Sequence, residues 1–285
     1  MPRATPPPAA TERRSPTPAA ARKREAIREL KAALAGDRLR LLYQPVVNAS
    51  DSRVERVEAL LRWRTPKEEP ATLTDLIWSA ERSPVIFRLE NWILDQSFRD
   101  AAAWKGAGLY GVRVNVNLSA REFPRADLVG RVARRLRSAR LDAGAVGLEI
   151  TETSSMRRFD EVAEQIDRLI ATGLELWLDD FGTGHSSLEW LSHLPLHGVK
   201  IPGTFVERLL NEKRCQAIAS RVIDLAHDLG LQVIAEGVES PEQRDFLAAR
   251  GCDLFQGFLY FCPVPADELA AAVGGGGSGE ATVSA

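Results

Sequence analysis

Apolar residues recur along the chain in two rhythms. Residues 112–118 read VRVNVNL, so Val112, Val114, Val116 and Leu118 share one face while Arg113, Asn115 and Asn117 take the other. A two-residue period of this kind predicts a strand. Short apolar runs at 39–47, 54–61, 146–150, 174–178, 198–201, 232–235 and 254–258 predict seven more. Between most of these runs the period lengthens to three and four. Ile27, Leu30 and Leu34 open a helix from about Lys23 that Gly36 is placed to close. Further helices are predicted over 72–82, 84–104, 127–139, 159–172, 187–193 and 215–229, and one opens at Ser240. There Ser240, Pro241, Glu242 and Gln243 form a serine cap, a first-turn proline and a glutamine at the capping-box position.

The spacing of these elements predicts a topology. Only turn-type residues, 48–52, separate the first two strands, and a parallel pair needs a crossover of roughly a dozen residues or more. The first strand must therefore run antiparallel to the second. Eight strands with helices after all but the first predict an α/β fold, a modified (β/α)8 TIM barrel with an antiparallel first strand. The alternative, an open doubly wound sheet that holds a dinucleotide, wants GxGxxG directly after a strand, and the sequence has none. One barrel domain over 25–273 is expected, flanked by a disordered Pro/Ala/Arg-rich tail at 1–24 and a flexible glycine-rich tail at 274–285.

Composition narrows the setting. The 285 residues are 45% hydrophobic, enough to bury one large core, and the formal net charge of −2 argues against bulk electrostatic binding of nucleic acid. Three cysteines, Cys215, Cys252 and Cys262, lack CxxC spacing and leave one unpaired under any disulfide scheme, which suits a reducing cytoplasm. No apolar run is long enough to span a bilayer, so no membrane contact is expected, and the charge balance leads to the same expectation for direct nucleic-acid contact. The basic residues of the N-terminal tail are read as a solvated linker, contact with nucleic acid or an acidic partner being the alternative.

Chemistry gathers around residues 176–188, LWLDDFGTGHSSL, where a buried strand delivers Asp179 and Asp180 to a glycine-punctuated loop. Adjacent ionised carboxylates repel unless a cation lies beside them. On this stretch alone, a helix cap at Asp180 is an equally good reading. The other strand ends tip the balance, because Glu58, Asn117, Glu149, Asp179, Lys200, Glu236 and Gln256 all fall near the C-terminal ends where barrel enzymes carry their chemistry. Nearly all are oxygen donors, so the ring suits one or two hard divalent cations, and a metal pair is a known device for displacement at phosphorus. Lys200 either neutralises phosphoryl charge or orients water, or else pairs with a neighbouring carboxylate. Glu236 or an aspartate of the pair is the candidate general base. The four histidines, His185, His193, His197 and His227, miss the ring positions, which disfavours a histidine-ligated metal.

These residues also fall into a series of short motifs: YQP at 43–45, EALLRW at 58–63, VNLS at 116–119, EITE at 149–152, DDFGTG at 179–184, KI at 200–201, AEGVE at 235–239 and QG at 256–257. In this order, over about 39–263, the chain resembles the EAL-domain cyclic-di-GMP phosphodiesterases. The resemblance implies a modified barrel with an antiparallel first strand and hydrolysis of cyclic di-GMP to linear pGpG. It implies Mg2+ or Mn2+ at two sites, with Ca2+ inhibitory. Metal ligation then falls to Glu58, Asn117, Glu149, Asp179 and Glu236, with Asp180 close to the second metal. Lys200 and Gln256 hold the catalytic water and Glu236 is the base. Gln44, Leu60, Arg62 and Glu239 contact the dinucleotide, and Glu152 anchors the 181–187 loop, which in the family links the metal site to a homodimer interface.

Three departures stand out. The family's usual KID, basic residue, serine is here Lys200, Ile201, Pro202, Gly203, Thr204; His185 replaces the usual loop tyrosine; and SAERSPVI at 79–86 lacks the family's common acidic pair and glycine. An active phosphodiesterase is the leading expectation because every primary ligand position is kept. A non-hydrolytic cyclic-di-GMP receptor signalling to a protein partner is the second, argued from the missing aspartate after Ile201. A scaffold that binds no nucleotide is the third, and Gln44 and Arg62 speak against it.

Overall fold

The computed structural model describes residues 18–64, 72–119, 121–123, 125, 127–151, 159–183 and 187–274. Eight strands close into a barrel in sequence order: β1 (Leu39–Asn48), β2 (Val54–Trp63), β3 (Arg113–Asn117), β4 (Val146–Thr151), β5 (Glu175–Asp179), β6 (Gly198–Ile201), β7 (Gln232–Ala235) and β8 (Leu254–Phe255). β1 lies antiparallel to both neighbours, β2 and β8, and every other neighbouring pair is parallel. The barrel and its inverted first strand are therefore as the connection lengths require.

Around it run α1 (Pro18–Ala35), α2 (Leu73–Glu81), α3 (Val85–Gly106), α4 (Leu128–Ala139), α5 (Phe159–Ile170), α6 (Ser187–His193), α7 (Gly203–Val206), α8 (Lys213–Asp228), α9 (Pro241–Ala248) and α10 (Leu269–Gly274). Helix α1 starts at Pro18, so residues 18–24 are helical, where the composition predicted a disordered tail. Proline loses nothing in a first turn, whose N–H has no partner anyway, and the alanines that follow are the strongest helix formers. The remainder of both predicted tails lies outside the described residues. α7, α10 and a 3-10 turn at Ala143–Ala145 are too short to leave a period in the sequence.

Strand β8 is also shorter than the predicted 254–258. Its hydrogen bonds pass to the loop after β7: Val238 N–H donates to Gln256 O at 3.0 Å and Leu259 N–H to Val238 O at 3.0 Å. A Cβ on Gly257 would stand 2.1 Å from the Val238 carbonyl oxygen, so only glycine allows this crossing.

Alternation along the strands gives the barrel two cores. Outward residues such as Val57, Val114, Val116, Leu148 and Leu176 pack against the helices. The lumen holds a separate cluster of Val46, Trp177, Ile234 and Leu254. Trp177 is fully buried, with the Arg56 guanidinium 4.2 Å from its ring centre. Its bulk is admitted by Gly198, where a Cβ would fall 2.3 Å from the indole. Arg56 in turn pairs with Glu175 at 2.9 Å and reaches Asn115 at 3.3 Å. One end of the lumen is thus filled by ring and ion pair, and chemistry is confined to the other. Among the described residues no helix is long and apolar enough to cross a membrane.

Candidate active site

Register brings the predicted ring together. Glu58 on β2 stands beside Asn115 of β3, Asn117 beside Glu149 of β4, and Asp179 ends β5 beside Thr151. Lys200 lies on β6, while Glu236 and Gln256 directly follow β7 and β8. Glu58 sits in the middle of its strand and not at the end, because β2 continues beyond its pairing with β3 as one arm of the β1–β2 ribbon.

At the centre is the Lys200 ammonium, fully buried. It donates to Glu58 Oε2 and Glu149 Oε2, each at 3.0 Å, and lies 2.6 Å from Glu236 Oε1 and 3.7 Å from Asp179 Oδ1. Amides complete the network: Asn117 Nδ2 donates to Glu58 Oε1 at 2.9 Å, Asn115 Nδ2 to Glu149 Oε1 at 2.8 Å, and Gln256 Nε2 to Glu58 Oε2 at 2.8 Å. Lys200 thus makes the carboxylate pairs that were one of its expected roles.

One ammonium does not balance four carboxylates. Burial alone would lower the lysine's pKa, yet Asp179, Glu149, Glu236 and Glu58 hold it well above the ordinary value. Glu58 resists burial through Lys200, Gln256 and Asn117 and titrates below the usual range. The other three go up. Burial and the charge of Glu58 drive Glu149 well above its ordinary value. Burial, against the pull of Lys200, raises Asp179, with Glu58 and Asp180 adding to the rise. Glu236 is pushed up to about 8 by burial, again against Lys200, and by Asp179 and Glu58. The site is short of positive charge.

That deficit, an all-oxygen donor set and a buried Gln256 Oε1 with no hydrogen-bond partner fit a hard divalent cation. Among the described residues, however, no three Asp, Glu, His or Cys side chains group as a ready metal cage. The acids close on Lys200 instead.

The ring opens into a cavity of about 310 Å3, lined by Gln44, Leu60 and Glu239 as well as Glu58, Glu236 and Gln256. Gln44 is held by donating to Phe261 O at 3.1 Å and accepting from Gln256 at 3.2 Å. Arg62 is not brought to this lining; its guanidinium donates to Leu61 O at 2.9 Å. Asp180 also stays off the lining and takes a left-handed φ of 55°, with its N–H on Asp179 Oδ1 at 2.8 Å. Glu152 and His185 lie outside the described residues.

Sequence reasoning missed two contributors. Asn115 shares a strand face with Asn117, and that alternation was the available signal. Phe258 follows Gly257 and is 54% exposed at the cavity wall, with no polar signature to single it out. The departure after Ile201 has a structural expression. Pro202 precedes α7, Gly203 lines the cavity, and a Cβ on Gly237 (φ 64°) would stand 3.0 Å from the Gly203 Cα.

The sequence and fold match known proteins. The profile described as EAL domain matches residues 27–263. Cyclic di-GMP phosphodiesterase NbdA of Pseudomonas aeruginosa is 39% identical over 237 residues, 83% of this chain and 30% of the relative. The bifunctional diguanylate cyclase/cyclic di-GMP phosphodiesterase MucR of the same organism is 37% identical over 247 residues, 87% of this chain and 36% of the relative. The chain therefore spans about a third of the length of these curated relatives. A solved structure of the PaMucR phosphodiesterase in complex with c-di-GMP superposes with a TM-score of 0.80 at 37% identity, covering 86% of this chain and 99% of that one. On motif order, fold and matched length together, the chain belongs to the EAL-domain family.

Proposed function

We propose that the chain hydrolyses one phosphodiester of cyclic di-GMP to linear pGpG with Mg2+ or Mn2+, and that Ca2+ inhibits it. The convergence of Glu58, Glu149, Asp179 and Glu236 on Lys200 beside the Gln44-lined cavity carries this reading. Glu58, Asn117, Glu149, Asp179 and Glu236 would hold the metal, with Asp180 near a second. When bound, such an ion lowers the pKa of water and stabilises charge on phosphoryl oxygens.

The protein's own groups do the rest. Gln44, Leu60 and Glu239 position the dinucleotide, and Arg62 joins them by swinging its guanidinium away from Leu61 O. Glu236 takes the proton of the attacking water as the new P–O bond forms. The bond to the 3′ oxygen breaks, and that oxygen leaves as the hydroxyl of pGpG by taking up the proton that Glu236 removed from the water. Lys200 and Gln256 hold the water and offset developing negative charge.

The test is to incubate the chain with cyclic di-GMP and Mn2+, follow pGpG by chromatography, and measure binding in Ca2+. Turnover that Glu58→Ala abolishes supports hydrolysis. Binding without turnover supports the receptor reading, which the proline at position 202 favours because it removes a carboxylate and an amide proton from the mouth. We also propose a homodimer in the cytoplasm. Leu188 on α6, beside the loop after Asp179, is 68% exposed and suits an apolar contact. Sedimentation of Leu188→Asp against the parent chain tests it.

A further inference from the structure

In the outer layer, α3 and α4 leave a groove of about 760 Å3 between them, larger than the cavity at the barrel mouth. Arg99 of α3 and Arg131, Arg134 and Arg135 of α4 line it, against a single acid, Asp95. The arginines are of two kinds. Arg135 pairs with Asp95 at 2.7 Å, and Arg131, only 7% exposed, pairs with Glu122 and Asp127. Both donate to the same oxygen, Asn91 Oδ1, each at 2.9 Å, which fixes the two guanidinium groups side by side. Arg131 Nε lies 3.1 Å from an Asp127 oxygen, but it is buried and makes no hydrogen bond. Among the described residues Arg99 bonds only the neutral Gln96, and Arg134 has no partner.

The groove thus combines an oriented pair of guanidinium groups with two uncompensated ones, on opposite walls of a cavity within the roughly 300–1,000 Å3 range of small-molecule sites. Guanidinium forks match the oxygens of phosphate better than a point charge does. Like charges gathered around a shared space repel until an anion enters.

We propose that the α3–α4 groove is a second ligand site, for a small anion carrying two or more linked phosphates. It is independent of the hydrolytic reading of the barrel mouth.

Calorimetric titration of the whole chain with inorganic tripolyphosphate, in EDTA so that metal at the mouth plays no part, tests it. Arg99→Glu with Arg134→Glu is the informative variant, because both side chains are exposed and the paired Arg131 and Arg135 are left intact. Circular dichroism verifies that it is folded. One saturable site is expected, weakened at least about tenfold in the double variant. In Arg137→Glu, an exposed α4 position outside the groove, affinity should stay within about twofold of the parent. Absence of saturation up to about 1 mM overturns the proposal. So does an equal loss in Arg137→Glu, which reduces the effect to overall charge. A tighter response to a glutamate peptide of matched charge also overturns it, by reassigning the groove to an acidic protein partner.

Discussion

Lys200 holds four acids together with one proton-rich group, and its removal should be felt before any substrate is added. Lys200→Met keeps the length of the side chain but leaves the carboxylates facing one another, so in EDTA we expect a loss of about 3–5 kcal/mol in urea denaturation. Mn2+ should restore more stability to this variant than it adds to the parent, because it supplies the missing charge. An equal increment in both would count against a cation site within the ring. Phe258 acts on a different quantity. On the proposed activity, a base stacked on its exposed face gains about 1–3 kcal/mol, so Phe258→Ala should raise KM for cyclic di-GMP by about 5- to 150-fold and leave kcat nearly unchanged. Most of the ring was legible because acids and amides recur at so many of the apolar runs, although any single one reads as well as a helix cap. Asn115 was harder to assign, since it lies two residues before Asn117 on the same face, serves Glu149 and reads equally well as an ordinary lumen residue.

At the scale of the element, the long helices and the inverted first strand were readable from period and connection length. The capping box at Ser240 is realised, with Gln243 N–H on Ser240 Oγ at 3.3 Å and Gln243 Oε1 accepting the Ser240 N–H at 3.0 Å. Strand β8 was overextended because its apolar run continues past the point where Gly257 turns the backbone onto Val238, a tertiary event that local pattern does not encode. Helix α3 carries a prediction of its own. Glu90 on it accepts the Ser119 N–H at 2.7 Å, just beyond Asn117, and is pushed up to about 9 by burial and by the charge of Glu122. The folded protein therefore keeps a proton here that the unfolded chain releases near 4.5. Stability from this source is fullest at acid pH and is lost as pH climbs towards 9, by at most about 1.4 kcal/mol per pH unit. Glu90→Gln should flatten that decline between pH 6 and 8.5 in urea melts. Parallel declines in the two proteins would show that Glu90 is ionised throughout.

For the whole molecule, the barrel is held from inside as well as outside. Gly198→Ala brings a methyl group against Trp177 and within 2.5 Å of the Gln232 carbonyl oxygen, both rigid. A cost of about 1–3 kcal/mol or more is expected from overpacking, read as a lower thermal midpoint. Near-neutral behaviour would mean that the indole can move aside. The α3–α4 groove stayed hidden at the level of the chain: α4 reads as an arginine-rich amphipathic helix, and only its apposition to Arg99 of a separate helix makes a concave surface.

The Trp177 plug also governs traffic. With indole, Arg56 and Glu175 stopping the far end, the lumen is a cul-de-sac, and whatever enters to be cut must depart by the doorway it came through. On the proposed activity, linear product and fresh cyclic dinucleotide would share that doorway, so added pGpG should slow turnover purely by competing for entry.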